Sequence, residues 1–252
     1  EMRGPLEGFL AATADAGRAA ALEQLRYAAP PLTLLAELMP MVLADGSEQV
    51  RERAIALLAG AGARPVVLDL IRALQKGDEA SIRRLADVLG PLDAEQLDLV
   101  VGAVLASLMR TPVSPALVHL CTAIAGRLAG HRGLGRLLGL LLPQAHRISL
   151  VGLVRAVQAI DAARVQSLLL AMAGQGEESD ARLIILLARP GEALPDDLLA
   201  RGVDLLLADS EAPRDRMALA GALLRGDTGR TLASRIADRP APFGSLRDNA
   251  VF

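Results

Sequence analysis

The chain has 252 residues, 52% of them apolar and 22% charged, which is ample material for a packed core and excludes a disordered chain. Its 27 basic and 29 acidic side chains leave a net charge of −2, which argues against a generic nucleic-acid binder. A single cysteine, Cys121, excludes an internal disulfide framework and a multi-cysteine zinc site.

Ala and Leu dominate, with Arg, Glu and Gln on the polar positions, and all of these are strong helix formers. Nowhere do β-branched or aromatic residues alternate with period two over the length of a strand, so no sheet is expected. In chain order, helices are expected over 5–14 (or a turn there), 18–28, 31–44, 48–59, 65–76, 79–89, 94–110 and 115–129. The series continues over 133–142, 149–160, 162–173, 178–188, 195–208, 213–225 and 228–237. Ser47, Asp78, Asp93, Ser149, Asp161 and Asp227 stand where a side-chain oxygen can accept from a free N–H of a first turn. Pro65, Pro115, Pro195 and Pro213 suit a first turn, where their missing N–H costs nothing. Gly60, Gly77, Gly90, Gly130, Gly174 and Gly226 fall where helices should end. Connections of two to six residues favour antiparallel neighbours, and no linker interrupts the run, so 1–238 is expected to form one helical domain. The tail, 239–252, carries Pro240, Pro242 and Gly244 and is expected to be non-helical. Disorder of that tail, or docking of Phe243 or Phe252 into an apolar notch, stay open as alternatives.

No amino-terminal stretch joins a basic head to an apolar run of signal-peptide length. The longest uncharged segment, Thr111 to Gly126, contains two prolines and is too short to span a bilayer. A cytoplasmic protein without a transmembrane segment is the expectation. The chain opens on Glu1 rather than a methionine, as a processed form or a piece of a longer protein would.

Short helices with tight turns call for a search at periods of 30–50 residues. Val50-Arg51-Glu52-Arg53-Ala54-Ile55-Ala56-Leu57-Leu58 and Ile82-Arg83-Arg84-Leu85-Ala86-Asp87-Val88-Leu89-Gly90 share an apolar–Arg start, an Ala four residues on and a Leu seven residues on. That spacing lays the apolar positions along one helix face. Fainter copies begin at Val118, Leu150, Ala181 and Met217, a period of about 33 residues. At these residues, and most closely at Asp78, Ile82, Arg83, Ala86, Leu89 and Gly90, the chain resembles the HEAT-like repeat family, including the variety found in phycobilisome-lyase-like bacterial proteins. The resemblance is good over 47–90 and degraded over 114–226. It implies an all-α solenoid of about six to seven stacked antiparallel helix pairs, in which neighbouring pairs cover each other's apolar stripes. It also implies that the turn Asp and the following Arg bond along the stack, which gives Arg51 and Arg83 structural roles. Another helical array or a closed bundle stays open as the alternative.

Chemistry-bearing patterns are few. His119 and Cys121 stand two apart on a helix and so face different ways, and no convergent donor set of metal-ligand spacing exists. The His-Glu pairs of iron-binding HEAT enzymes are missing, so His119, His131 and His146 read as surface or partly satisfied side chains. Cys121 lies in an apolar helix and reads as a small core residue. Gly133-Leu134-Gly135-Arg136-Leu137-Leu138-Gly139 follows no strand and lacks the ending of a phosphate loop. Glu177-Glu178 and Asp196-Asp197 lie at expected helix starts, where negative charge suits the helix dipole. Some HEAT-like proteins are DNA glycosylases, but a chain almost without aromatic side chains in its helical part has little to stack on bases. No catalytic residue, metal ligand or cofactor is therefore expected.

One stretch is unusual. Between Asp98 and Asp161 there is no carboxylate, while Arg110, Arg127, Arg132, Arg136, Arg147 and Arg155 lie within it, among strongly apolar helices. Either these helices are the most enclosed part of the array with arginines snorkelling at its edge, or they form an apolar, arginine-rimmed surface. The second reading names the six arginines as partner-binding residues. The partner would be an acidic amphipathic protein segment or a second copy of the chain, with no nucleic acid. A non-catalytic interaction scaffold is the function that follows. A helical enzyme or small-molecule carrier with a pocket among helices 94–160 is the alternative, and a HEAT-like nucleic-acid-binding protein a lesser one.

Overall fold

The structure is a computed structural model, and it describes residues 8–9, 11–142, 150–172, 177–188, 194, 196–207 and 213–226. Among the described residues there are fourteen helices and no strand. They are α1 (Asp15–Tyr27), α2 (Leu32–Val42), α3 (Glu48–Gly60), α4 (Pro65–Lys76), α5 (Glu79–Val88), α6 (Ala94–Arg110), α7 (Pro115–Ala123), α8 (Ala125–Leu128) and α9 (Leu134–Leu141). There follow α10 (Val151–Gln158), α11 (Ala162–Leu170), α12 (Glu177–Leu187), α13 (Asp196–Leu207) and α14 (Pro213–Gly226). The chain is therefore all-α, and no helix among the described residues is long and apolar enough to cross a membrane.

Most boundaries follow the capping chemistry. Asp78 accepts from Ser81 N–H at 3.1 Å, Asp93 from Gln96 N–H at 2.8 Å, Ser114 from Leu117 N–H at 3.3 Å and Asp161 from Arg164 N–H at 3.0 Å. Pro65 and Pro115 occupy first turns, and Gly77 ends α4 in the left-handed region at φ 67°. Ser47 differs from expectation. Its side chain makes no cap bond, and its own N–H instead donates to Asp45 Oδ1 at 2.8 Å, so the carboxylate two residues earlier fixes that turn. The helix expected over 115–129 is broken at Ile124, whose backbone leaves the helical region (φ −96°, ψ 7°), into α7 and the single turn α8. Of the helix or turn expected over 5–14, residues 8, 9 and 11 are helical and 12–14 are not, while the helix expected over 228–237 lies outside the described residues, as do the tail, Ser149 and Asp227.

The helices gather into two compact units, 1–144 and 145–252. In the first unit α6 is the central element, with Leu97, Leu99 to Leu108 and Gln96 all buried. It packs on α2, α4 and α9, and the α2–α6 contact is the most extensive among the described residues. Alternate helices also pack, α1 on α3 and α5 on α7, while α4 meets both α3 and α5. The direct α2–α6 contact bypasses the three helices between them, which a strictly neighbour-to-neighbour row does not do. Gln96 ties the start of α6 to the α3–α4 turn: its Oε1 accepts from Arg64 N–H at 3.0 Å. In the second unit α12, α13 and α14 pack on one another around Leu183, Ile184, Val203 and Leu223, and α11 packs on α10 and α12.

Candidate functional site

Within the first unit, α2, α6 and the turn leading into α9 enclose a groove of about 310 Å³. Its floor is apolar: Ala36 and Pro40 from α2, and Val101, Gly102 and Leu105 from α6. Polar atoms stand on its rim, namely Glu37, Asp98, His131, Arg132 and Arg136. The floor exists because α2 and α6 cross closely at Gly102, and the rim because the residues before α9 turn back over α6.

His131 is fastened at both nitrogens. Its Nε2 pairs with Asp98 Oδ1 at 2.5 Å, and its Nδ1 accepts from Gly133 N–H at 2.9 Å. An Nδ1 that accepts must be unprotonated, so Nε2 carries the hydrogen and donates it to the carboxylate. The imidazole side chain is only 10% exposed. With both nitrogens engaged it has no lone pair to offer as a general base, and it instead pins the α8–α9 turn to the second turn of α6. Of the two readings the sequence allows, surface or partly satisfied, His131 takes the satisfied one, as a largely buried clasp on Asp98. His119 takes the surface one: it is exposed and pairs with the exposed Asp87 of α5 at 2.8 Å. His146 lies outside the described residues.

Of the six arginines, the structure brings two to the groove. Arg132 donates to Glu37 Oε1 at 3.1 Å and lies 4.0 Å from Asp98 Oδ2, so its charge is matched across the rim. Arg136 is exposed, and its one described bond is a weak one to Met109 Sδ at 3.8 Å. Arg127 is exposed on α8 with no ion pair among the described residues. Arg110 stands at the far end of α6 and donates to Gln75 Oε1 at 2.6 Å. Arg155 is exposed on α10 in the second unit, and Arg147 lies outside the described residues.

The turn residues bond locally, not along a stack. Arg51 donates to the carbonyls of Asp45 and Gly46 at 2.7 and 2.9 Å, in the turn before its own helix. Arg83 pairs with Glu79 on α5, and Asp78 caps that same helix. Sequence reasoning missed Gln96 and the Arg18–Asp45 pair, with Nε to Oδ2 at 2.7 Å. Neither has a local signal, since each bond joins residues roughly thirty positions apart. Cys121 is wholly buried and burial pushes its thiol up to about 12, which fits the core role read from the sequence. Among the described residues no group of His, Cys, Asp or Glu is arranged to hold a metal.

No family model, curated protein or solved structure shows significant similarity to this chain.

Proposed function

We propose that this chain is a non-catalytic interaction scaffold, HEAT-like in its repeats and cytoplasmic in setting, whose first unit receives an acidic amphipathic segment of a protein partner in the α2–α6 groove. The observation that carries the reading is Arg136 at the mouth of an apolar groove, in a stretch free of carboxylates, with a thioether alone among the described residues engaging its guanidinium. An apolar side chain of the partner enters between Pro40 and Leu105, where it loses contact with water. A neighbouring carboxylate takes the planar donor edge of Arg136, a charge-assisted pairing stronger than a neutral one. Packing of alternate helices, α1 on α3, α4 on α6, α5 on α7 and α12 on α14, supports the repeat reading.

The groove's volume lies at the lower end of ordinary ligand pockets, about 300–1,000 Å³. That size supports the second reading, a small-molecule carrier with its pocket along 94–142. The occupied nitrogens of His131 weigh against chemistry there.

The test is charge reversal on the rim. Arg136→Glu removes only a thioether contact, so it should leave the helical circular-dichroism signal intact and weaken partner binding about tenfold or more. Adding Arg132→Glu sets a carboxylate against Glu37 and deepens the loss. Partner binding unchanged in both variants would remove the groove from the account.

A further inference from the structure

A second cationic centre lies away from the groove, where α2, α4 and α6 end. Arg110, the last residue of α6, donates through Nη1 to Gln75 Oε1 at 2.6 Å, and Gln75 Nε2 donates in turn to the carbonyl of Leu43 at 3.1 Å. Arg51 is held to the same segment from the other side, with Nη1 on the carbonyls of Asp45 and Gly46. Two guanidiniums distant in sequence thus stand about one turn, Arg51 bonded to it directly and Arg110 through Gln75, and neutral oxygens anchor both.

Neither has an ion pair among the described residues. The carboxylate of Asp45, whose carbonyl binds Arg51, already accepts from Arg18 Nε at 2.7 Å, from Arg18 Nη2 at 3.2 Å and from Ser47 N–H at 2.8 Å. The two cations are close enough to feel each other: burial first, and then the positive charge of Arg51, hold the Arg110 guanidinium below its ordinary value. The carbonyl and amide oxygens that accept from the two guanidiniums carry partial negative charge, which lets like charges be tolerated here. They leave the Nε and Nη2 donors of both arginines without a described partner.

We propose that Arg51 and Arg110 form an oxyanion site that takes a phosphoryl group. A guanidinium presents its donors as a planar fork that one carboxylate saturates. Two such forks on neighbouring arginines offer more donors than a carboxylate can accept, and they match the three terminal oxygens of a phosphate monoester. The site is separate from the α2–α6 groove and does not depend on the function proposed for it.

The test titrates the full chain with inorganic phosphate at low ionic strength, followed by calorimetry, with acetate as the carboxylate comparator. Saturable phosphate binding is expected, with Arg110→Gln weakening it about tenfold and Arg127→Gln, an exposed arginine elsewhere, leaving it unchanged. Arg110→Gln alters an exposed helix end, so loss of folding does not confuse the result. Arg110→Lys keeps the charge but not the fork, and should bind with intermediate strength. A phosphoserine peptide run beside free phosphate separates the two sources of the group. Tighter peptide binding assigns it to a protein side chain, and equal or weaker binding assigns it to a small molecule. Four results would each overturn the proposal: no saturation below about 10 mM phosphate, acetate binding as well as phosphate, Arg110→Gln binding like wild type, or equal loss in Arg127→Gln. If the arginines serve only the helix ends, the titration is flat.

Discussion

Gly102 of α6 lies directly against Pro40 of α2. A Cβ added at 102 would stand 3.3 Å from Pro40 Cδ, 3.2 Å from Met39 Cβ and 3.4 Å from the Ala36 carbonyl oxygen. Proline has no N–H, so Ala36 cannot receive the usual bond from the residue four positions on. α2 turns this interrupted segment toward α6, and the thinnest residue available meets it. The groove floor follows from that close approach.

Gly102→Ala sets two effects in opposition. Helix propensity favours Ala by about 1 kcal/mol, and crowding in a packed core costs about 1–3 kcal/mol. All three neighbours are backbone atoms or atoms attached to backbone, so they cannot yield without moving α2. A net loss of up to about 2 kcal/mol is expected in urea unfolding, with Gly102→Leu losing about 3 kcal/mol or more. An alanine variant as stable as the parent would show that the crossing is looser than described.

The clasp at His131 gives a graded prediction. His131→Ala strands Asp98 and the Gly133 N–H together, at about 1–3 kcal/mol. Asp98→Asn keeps an acceptor for Nε2–H and should cost less than about 1 kcal/mol. Hydrogen exchange at the Gly133 amide should quicken in His131→Ala and stay slow in Asp98→Asn. Equal effects of the two substitutions would contradict the assigned direction of the hydrogen bonds.

Asp45 gives the pH dependence. Burial acts to raise its pKa, but the Arg18 bond and the Ser47 N–H together outweigh burial and hold the carboxyl below its ordinary value. A depressed folded pKa contributes stability that is present above the unfolded value of about 3.9 and is lost as pH falls through the folded one. The Arg18–Asp45 pair should therefore add nothing to pH dependence between 7 and about 5, and weaken the fold only below about 4. Asp45→Asn should lower the melting temperature at pH 7 and flatten the acid limb of the stability curve. An unchanged acid limb would show that the pair is not formed.

Cys121 gives a chemical readout of the core. A thiol pushed up to about 12 by burial is almost entirely protonated at pH 8. It should resist alkylation in the native chain and react fully in denaturant. Reaction of the native protein at the rate of a free thiol would place it outside the core.

Much of the helical arrangement is legible because its punctuation is local. Asp78, Asp93, Ser114 and Asp161 cap the helices they precede, and Pro65, Pro115 and Gly77 mark ends by backbone chemistry carried in one residue. The break at Ile124 was not legible, since no proline or glycine stands there to announce it. The site was legible only as composition: the carboxylate-free stretch pointed to six arginines, of which, among the described residues, Arg132 and Arg136 line the groove. Arg110 meets Gln75, and Asp98 meets His131, through packing of segments far apart in the chain. Periodicity carries no trace of such pairings.

The central claim is that surface shape and charge, not reactivity, are what this chain supplies. Its most direct test runs two measurements on one preparation: a thermal-shift screen against metabolites and metals, and a quantitative pull-down with the Arg136→Glu variant alongside. The account predicts no shift from a ligand in the groove, and a stoichiometric protein held by the native chain and released by the variant. A metabolite that raises the melting temperature by several degrees and loses that effect in Arg136→Glu, with no protein retained, would contradict it.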